Sequence, residues 1–183
     1  LLIGSGLTAV DVVLGFYARN FSGKIVMISR KGKLPLSHFI SNQKFIWDLP
    51  YLLSPLNLSK LVRKTIKDNP NIHWTVIVDA LRPFVPKIWN HWDLIERKLF
   101  LKRLRPFWEI VRHRIPLESV HLLNKLKASG KLIILKGEVS GIKKVNDGFQ
   151  VYSNNGQLCQ DVFFNKIINC TGPESDYRKI KFP

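Results

Sequence analysis

The chain has 183 residues, 45% of them hydrophobic and 11% aromatic, with 29 Lys and Arg against 13 Asp and Glu. That supplies a substantial core and excludes a disordered segment. There is no run of 18 apolar residues, and the opening Leu1-Leu2-Ile3 lacks a basic flank, so neither a membrane span nor a secretory leader is expected. The first element in chain order is this apolar run, read as a strand. It enters Gly4-Ser5-Gly6-Leu7-Thr8-Ala9, a G-x-G-x-x-A turn before an amphipathic helix. Such a turn holds a dinucleotide's pyrophosphate: Gly4 permits the tight bend, Gly6 removes the Cβ that would keep phosphate from the backbone, and Ala9 lets helix and strand pack closely. Free N–H groups at the helix start receive the anion.

Val10, Val13, Leu14 and Tyr17 continue at helical spacing, Asn20 to Gly23 break the pattern, and Lys24 to Ser29 reads as a second strand. Asp11 is placed in the first helical turn as a structural carboxylate. At the end of the second strand an NAD-preferring fold usually carries Asp or Glu for the ribose hydroxyls. Ser29 stands there instead, followed by Arg30 and Lys31. A hydroxyl and two cations suit the 2′-phosphate of NADP and disfavour NAD or FAD at this site. Arg30 and Lys31 as a merely solvated turn is the competing reading.

From Leu36 to Pro116 the period changes to 3.6, which predicts a helical insertion over residues 36–116. Three apolar stripes are expected: Leu58, Leu61, Val62 and Ile66; Ile77, Leu81 and Phe84; and Leu94, Ile95, Leu99 and Leu104. Asp93 with Glu96 resembles a capping box. Prolines at 55, 70, 83, 86, 106 and 116 divide the region into short helices. All five tryptophans fall here, as expected of a core or an interdomain face. Leu104 to Arg114 gathers arginines and a histidine beside Phe107 and Trp108. It reads either as a phosphate or flavin contact, with His113 and Arg114 its leading members and His38 a weaker candidate, or as a solvated basic face.

After Pro116 the α/β pattern returns. Val120 to Ser129 reads as a helix stopped by Gly130, Lys131 to Lys136 as a strand extending the parallel sheet, and Val139 to Val145 with Phe149 to Ser153 as a hairpin around Asn146-Asp147-Gly148. A second turn, Asn154-Asn155-Gly156, leads through Leu158 to Phe164. Lys166 to Cys170 is the last strand, ending at Thr171-Gly172-Pro173. The fold class expected is α/β: a Rossmann-like parallel sheet with an antiparallel excursion and a helical insertion, residues 1–35 and 117–183 forming the dinucleotide-binding domain. Cys159 and Cys170 have neither C-x-x-C nor metal-type spacing, so no zinc site or redox disulfide is expected and the cytoplasm is the default location.

The formal charge of +16 would ordinarily call for nucleic acid or an anionic membrane. The cations are spread without a long block, and NADPH is itself a polyanion, so nucleic acid is disfavoured.

The glycine turn and the terminal Ile168-Asn169-Cys170-Thr171-Gly172-Pro173 resemble the nicotinamide half of flavoproteins with two dinucleotide-binding domains. More closely, Gly4 to Asp11, Ser29 to Pro35, Asp79 to Pro83 and Leu104 to Arg114 resemble the YdhS-type FAD/NAD(P)-binding proteins over nearly the whole chain. The resemblance implies a flavoprotein that takes hydride from NAD(P)H, related to single-component monooxygenases, with Thr171 and Gly172 lining the nicotinamide side. No second glycine turn precedes the first, so the FAD-binding N-terminal half is expected to lie outside this sequence, and the chain alone is expected to bind nucleotide and turn over nothing. The resemblance identifies no catalytic residue. The alternative is a non-catalytic basic interaction module on a nucleotide-binding fold; a flavin-independent NADP reductase lacks a proton-transfer pair.

Overall fold

A computed structural model describes residues 1–49, 53–154 and 162–172. From the amino end, β1 (Leu2–Ile3), α1 (Leu7–Ala18) and β2 (Ile25–Ser29) precede the helices α2 (Pro55–Asp68), α3 (Trp74–Asp79), α4 (Val85–His91), α5 (Leu94–Leu99) and α6 (Arg105–Arg112). A 3-10 turn spans Arg82–Phe84, and a π-helical stretch, Phe100–Leu104, joins α5 to α6. Then follow α7 (Leu117–Ala128), β3 (Leu132–Lys136), β4 (Glu138–Val145), β5 (Gly148–Asn154), β6 (Val162–Phe164) and β7 (Ile168–Asn169). The chain divides into two compact units, Leu1–Pro35 with Ile115–Pro183, and Leu36–Arg114.

The first unit is mixed α/β. Its parallel sheet has the order β3-β2-β1-β7, and β4-β5-β6 form a separate antiparallel sheet. Alternation along β2 explains the layering. Ile25 and Met27 join Ala9, Val10, Val13, Leu123, Leu126 and Leu132 in one core, on the side of α1 and α7. Ile28, pointing oppositely, is buried with Val151 and Phe164 of the antiparallel sheet. Burial on both faces is why the parallel strands read as continuous apolar runs. Ala9 is fully buried, as a residue at a close helix–strand approach must be. Two local expectations change. Asp11 lies beyond the first turn of a helix that begins at Leu7, and Tyr17 is exposed while Phe16 packs on the core.

In the hairpin Val145 pairs with Gly148, leaving Asn146-Asp147 as the two-residue turn with Asn146 at φ 39°. Gly148 is required for space: a Cβ there would meet the Phe163 ring and the Phe164 carbonyl. The expected turn at Asn155-Gly156, the segment from Leu158, and Cys159 lie outside the described residues.

In the second unit helices occupy the stretch from Pro55 to Arg112, while residues 36–49, expected to be helical, carry no helix. Trp47, Leu49, Ile77, Leu81, Ile88 and Trp92 are buried, with Leu58, Leu61, Val62 and Ile66 packed against them. The first two expected stripes therefore enter this core. The third does not: Leu94 and Ile95 point to solvent, while Trp92 and Phe100 pack inward. The physical reason is the complete capping box, Asp93 accepting from the Glu96 N–H and Glu96 from the Asp93 N–H, which sets the helix phase one residue after Trp92. Prolines 55, 86 and 106 sit in first turns, where no intrahelical N–H is lost, so they start helices.

Candidate nucleotide-binding site

The strand order places β2 and β3 on one side of β1 and β7 on the other. In an open parallel sheet such a reversal leaves a crevice outside the strands' carboxyl ends, where ligands bind. The β1–α1 turn begins at that end. Gly4 takes φ 111°, and its N–H donates to the Ile28 carbonyl at 2.8 Å. A Cβ on Gly4 would lie 2.5 Å from the Cys170 carbonyl oxygen, so only glycine lets the turn sit against the end of β7. Gly6 differs: its backbone is extended (φ −80°, ψ −165°), and a Cβ built there meets nothing within 4 Å. The space above Gly6 is open, and leaving it open is what phosphate needs.

Gly6 is the N-cap of α1, and no side chain caps it. The first N–H groups of the helix, those of Leu7 and Thr8 among them, have no intrahelical acceptor and carry the positive end of the helix dipole. Leu7 and Thr8 are exposed. These residues fit a dinucleotide pyrophosphate: open space at Gly6, uncommitted backbone donors, and a helix of 12 residues behind them.

Ser5 lies inside the glycine turn. It is buried, with Oγ 2.6 Å from the Lys33 carbonyl oxygen and 2.7 Å from Ser29 Oγ. A hydroxyl has one proton, so donation to the carbonyl leaves Ser29 as donor to Ser5. Ser29 Oγ also accepts from the Gly32 N–H at 3.1 Å. Ser5 and Ser29 thus tie the glycine turn to the loop after β2, and the Ser29 hydroxyl is engaged within the protein. Parallel register carried a signal for this. Ile3 pairs with Ile28, so the residues just beyond them in adjacent strands are neighbours.

Arg30 and Lys31 occupy the middle of a turn closed by Gly32 N–H donating to the Ser29 carbonyl at 3.1 Å, and both are exposed. Among the described residues none pairs with the Arg30 guanidinium. Gly32, at φ 59°, lies against Lys136 and anchors the turn to β3. On the opposite side of β1, Cys170 N–H donates to the Ile3 carbonyl at 2.8 Å. Thr171 follows, its N–H and hydroxyl both donating to Asn169 Oδ1 at 3.1 and 2.7 Å, and Gly172 takes φ 87°. Thr171 and Gly172 are exposed. The fold therefore gathers Gly4 to Thr8, Ser29 to Lys31, and Thr171 with Gly172 at one end of one sheet. Burial pushes the Cys170 thiol above its ordinary pKa and keeps it protonated.

The basic segment ending at Arg114 is built otherwise. The Arg114 side chain is 2% exposed and grips Asp79 with two hydrogen bonds of 2.9 and 3.0 Å. It also donates to the Val111 carbonyl and lies over the Trp74 ring. Three of its five N–H groups are bonded and the side chain is buried within the helical unit, so it serves as a structural anchor. His113 Nδ1 pairs with Glu109 at 2.8 Å, and His38 is exposed. The Asp79–Arg114 pairing has no local signature because 35 residues separate the partners.

Among the described residues no group of three His, Cys, Asp or Glu is placed to hold a metal ion, and no helix is long and apolar enough to cross a membrane. Compared with known proteins, the chain matches no family model, no curated protein and no solved structure.

Proposed function

We propose that the chain is the NADPH-binding part of an FAD-dependent oxidoreductase, a Rossmann-like domain that presents the nicotinamide to a flavin held by a further, N-terminal portion of the protein. The observation that carries this reading is the open, uncapped helix start at Gly6, at the point where the strand order reverses. Backbone N–H groups of Gly6, Leu7 and Thr8 hold the pyrophosphate, on a bend that Gly4 and Ser5 fix. Arg30 and Lys31 hold the 2′-phosphate, and Ser29, through its link to Ser5, positions their turn. Thr171 and Gly172 line the nicotinamide side. NADPH supplies the hydride and FAD accepts it; this chain binds, orients and discriminates. The flavin half rests on the resemblance to YdhS-type proteins.

The test is calorimetric titration of the full chain with NADP and NAD. NADP should bind at least about tenfold more tightly, and Arg30→Ala should remove most of that preference while leaving NAD binding unchanged, because only NADP has the extra phosphate for the charge-assisted bonds. Equal affinities defeat the NADP assignment. Absence of binding to either nucleotide defeats the nucleotide site itself.

A further inference from the structure

Leu94 and Ile95 are 67% and 75% exposed, and Leu101 is 46% exposed. An isolated exposed leucine is ordinary, but these three share a helical face. Positions 94, 98 and 101, with 95 and 102 beside them, recur every three to four residues along α5 and the π-helical stretch, and 105 continues them at the start of α6. The other members are Lys98, Lys102 and Arg105, all exposed. That face carries three large aliphatic side chains interleaved with Lys98 and Lys102, while Arg105, where α6 begins, is paired with Glu109. The nearby carboxylates are engaged: Asp93 and Glu96 by the capping box, Glu109 by Arg105 and His113.

Helix α2, which packs against α5 and the π-helical stretch, adds to the charge. Its exposed Lys60, Arg63, Lys64 and Lys67 lie within an arc of about 100° at helical spacing, with Leu56 in the same arc. Among the described residues none of these four cations is in an ion pair. Like charges three and four residues apart on a helix repel, so the sequence keeps a modestly destabilising arrangement that an anionic partner would relieve. Residues 36–114 hold fourteen Lys and Arg against six Asp and Glu.

From this juxtaposition we infer that the helical unit docks on an anionic lipid surface through α5 and its π-helical extension. Leu94, Ile95 and Leu101 enter the headgroup boundary, while Lys98, Lys102 and the cations of α2 meet lipid phosphates and carboxylates. Charge alone would serve a nucleic acid equally well. Interleaved exposed aliphatics distinguish the lipid surface, because phosphate backbones offer them nothing to bury against. The inference concerns a site separate from the glycine turn and stands or falls independently of nucleotide binding.

Flotation of the full 183-residue chain with vesicles of phosphatidylserine mixed into phosphatidylcholine, and of phosphatidylcholine alone, tests it. The mixed vesicles should carry the protein and the neutral ones should not, with retention falling as salt rises. Leu94→Ser with Ile95→Ser should lower partitioning about tenfold with an unchanged melting curve, since both side chains are exposed. Lys98→Gln with Lys102→Gln, which removes no packing, should lower it about fivefold per charge. Failure to float with the anionic vesicles overturns the inference. So does flotation that the two serines leave unchanged, or a short DNA duplex that binds more tightly than the vesicles do and is insensitive to Leu94 and Ile95.

Discussion

The two units of this chain use different means to hold functional or structural groups in place. In the α/β unit, neighbours are specified by ladder register: once Ile3 lies beside Ile28 and Asn169, the glycine turn, the Ser29 turn and Thr171 must emerge at one end. Among the described residues of the helical unit there is no strand, and position depends on a few long-range anchors. Trp47 donates its indole N–H to the Ile77 carbonyl at 2.8 Å, Trp92 to the Leu53 carbonyl at 2.9 Å, and Arg114 clasps Asp79. The lesson is that damage should spread differently. A lost anchor should loosen a whole helix cluster, whereas a change at a strand end should act locally.

The largest effect is expected at the Arg114 anchor. Asp79→Ala leaves a buried guanidinium without its carboxylate and should cost about 2–4 kcal/mol, somewhat below a fully buried pair because Asp79 is partly exposed. All five tryptophans lie in this unit, so urea unfolding followed by tryptophan fluorescence reads it selectively. An unchanged midpoint would mean that the pair is replaceable and that the anchor picture is wrong. Next comes Gly4→Ala, which combines a positive φ with a Cβ against the Cys170 carbonyl and should cost about 2 kcal/mol, measured by circular dichroism on heating. Ser5→Ala removes the bridge between the two turns and should cost about 1–2 kcal/mol. It should also weaken NADP more than NAD by loosening the Arg30 turn.

Gly6→Ala sharpens the contrast with Gly4. Open space and an ordinary φ limit its stability cost to about 0.5–1 kcal/mol, the loss expected at an N-cap. Its effect on nucleotide affinity should nevertheless exceed tenfold. If Gly6→Ala destabilises as much as Gly4→Ala, the glycine serves packing and the phosphate cradle is lost. The smallest effect concerns pH. The Cys170 thiol is raised by burial, so its contribution to stability is complete below the unfolded thiol's pKa of about 8.5 and is lost as pH rises through the folded value. Cys170→Ala should flatten the alkaline limb of a stability-against-pH curve.

Much of the local structure was legible in the residues. The strand–turn–helix at Gly4, the capping box at Asp93 and the hairpin turn at Asn146 follow from short-range steric and hydrogen-bonding rules. The candidate site was legible only as separate pieces. That Ser5 and Ser29 bond each other, and so commit the Ser29 hydroxyl that position alone assigned to the 2′-phosphate, depends on which strands are adjacent. Leu94 and Ile95 show the same limit from the other side. Their spacing satisfies a buried stripe, yet the capping box and the inward packing of Trp92 and Phe100 turn them to solvent.

Where the chain bends and which faces are apolar could be read from the residues, because both depend on atoms a few positions apart. Which apolar face is covered and which polar groups are already satisfied emerged with the assembled fold. Those outcomes depend on partners distant in the chain, as Asp79 is from Arg114, and no local pattern encodes them.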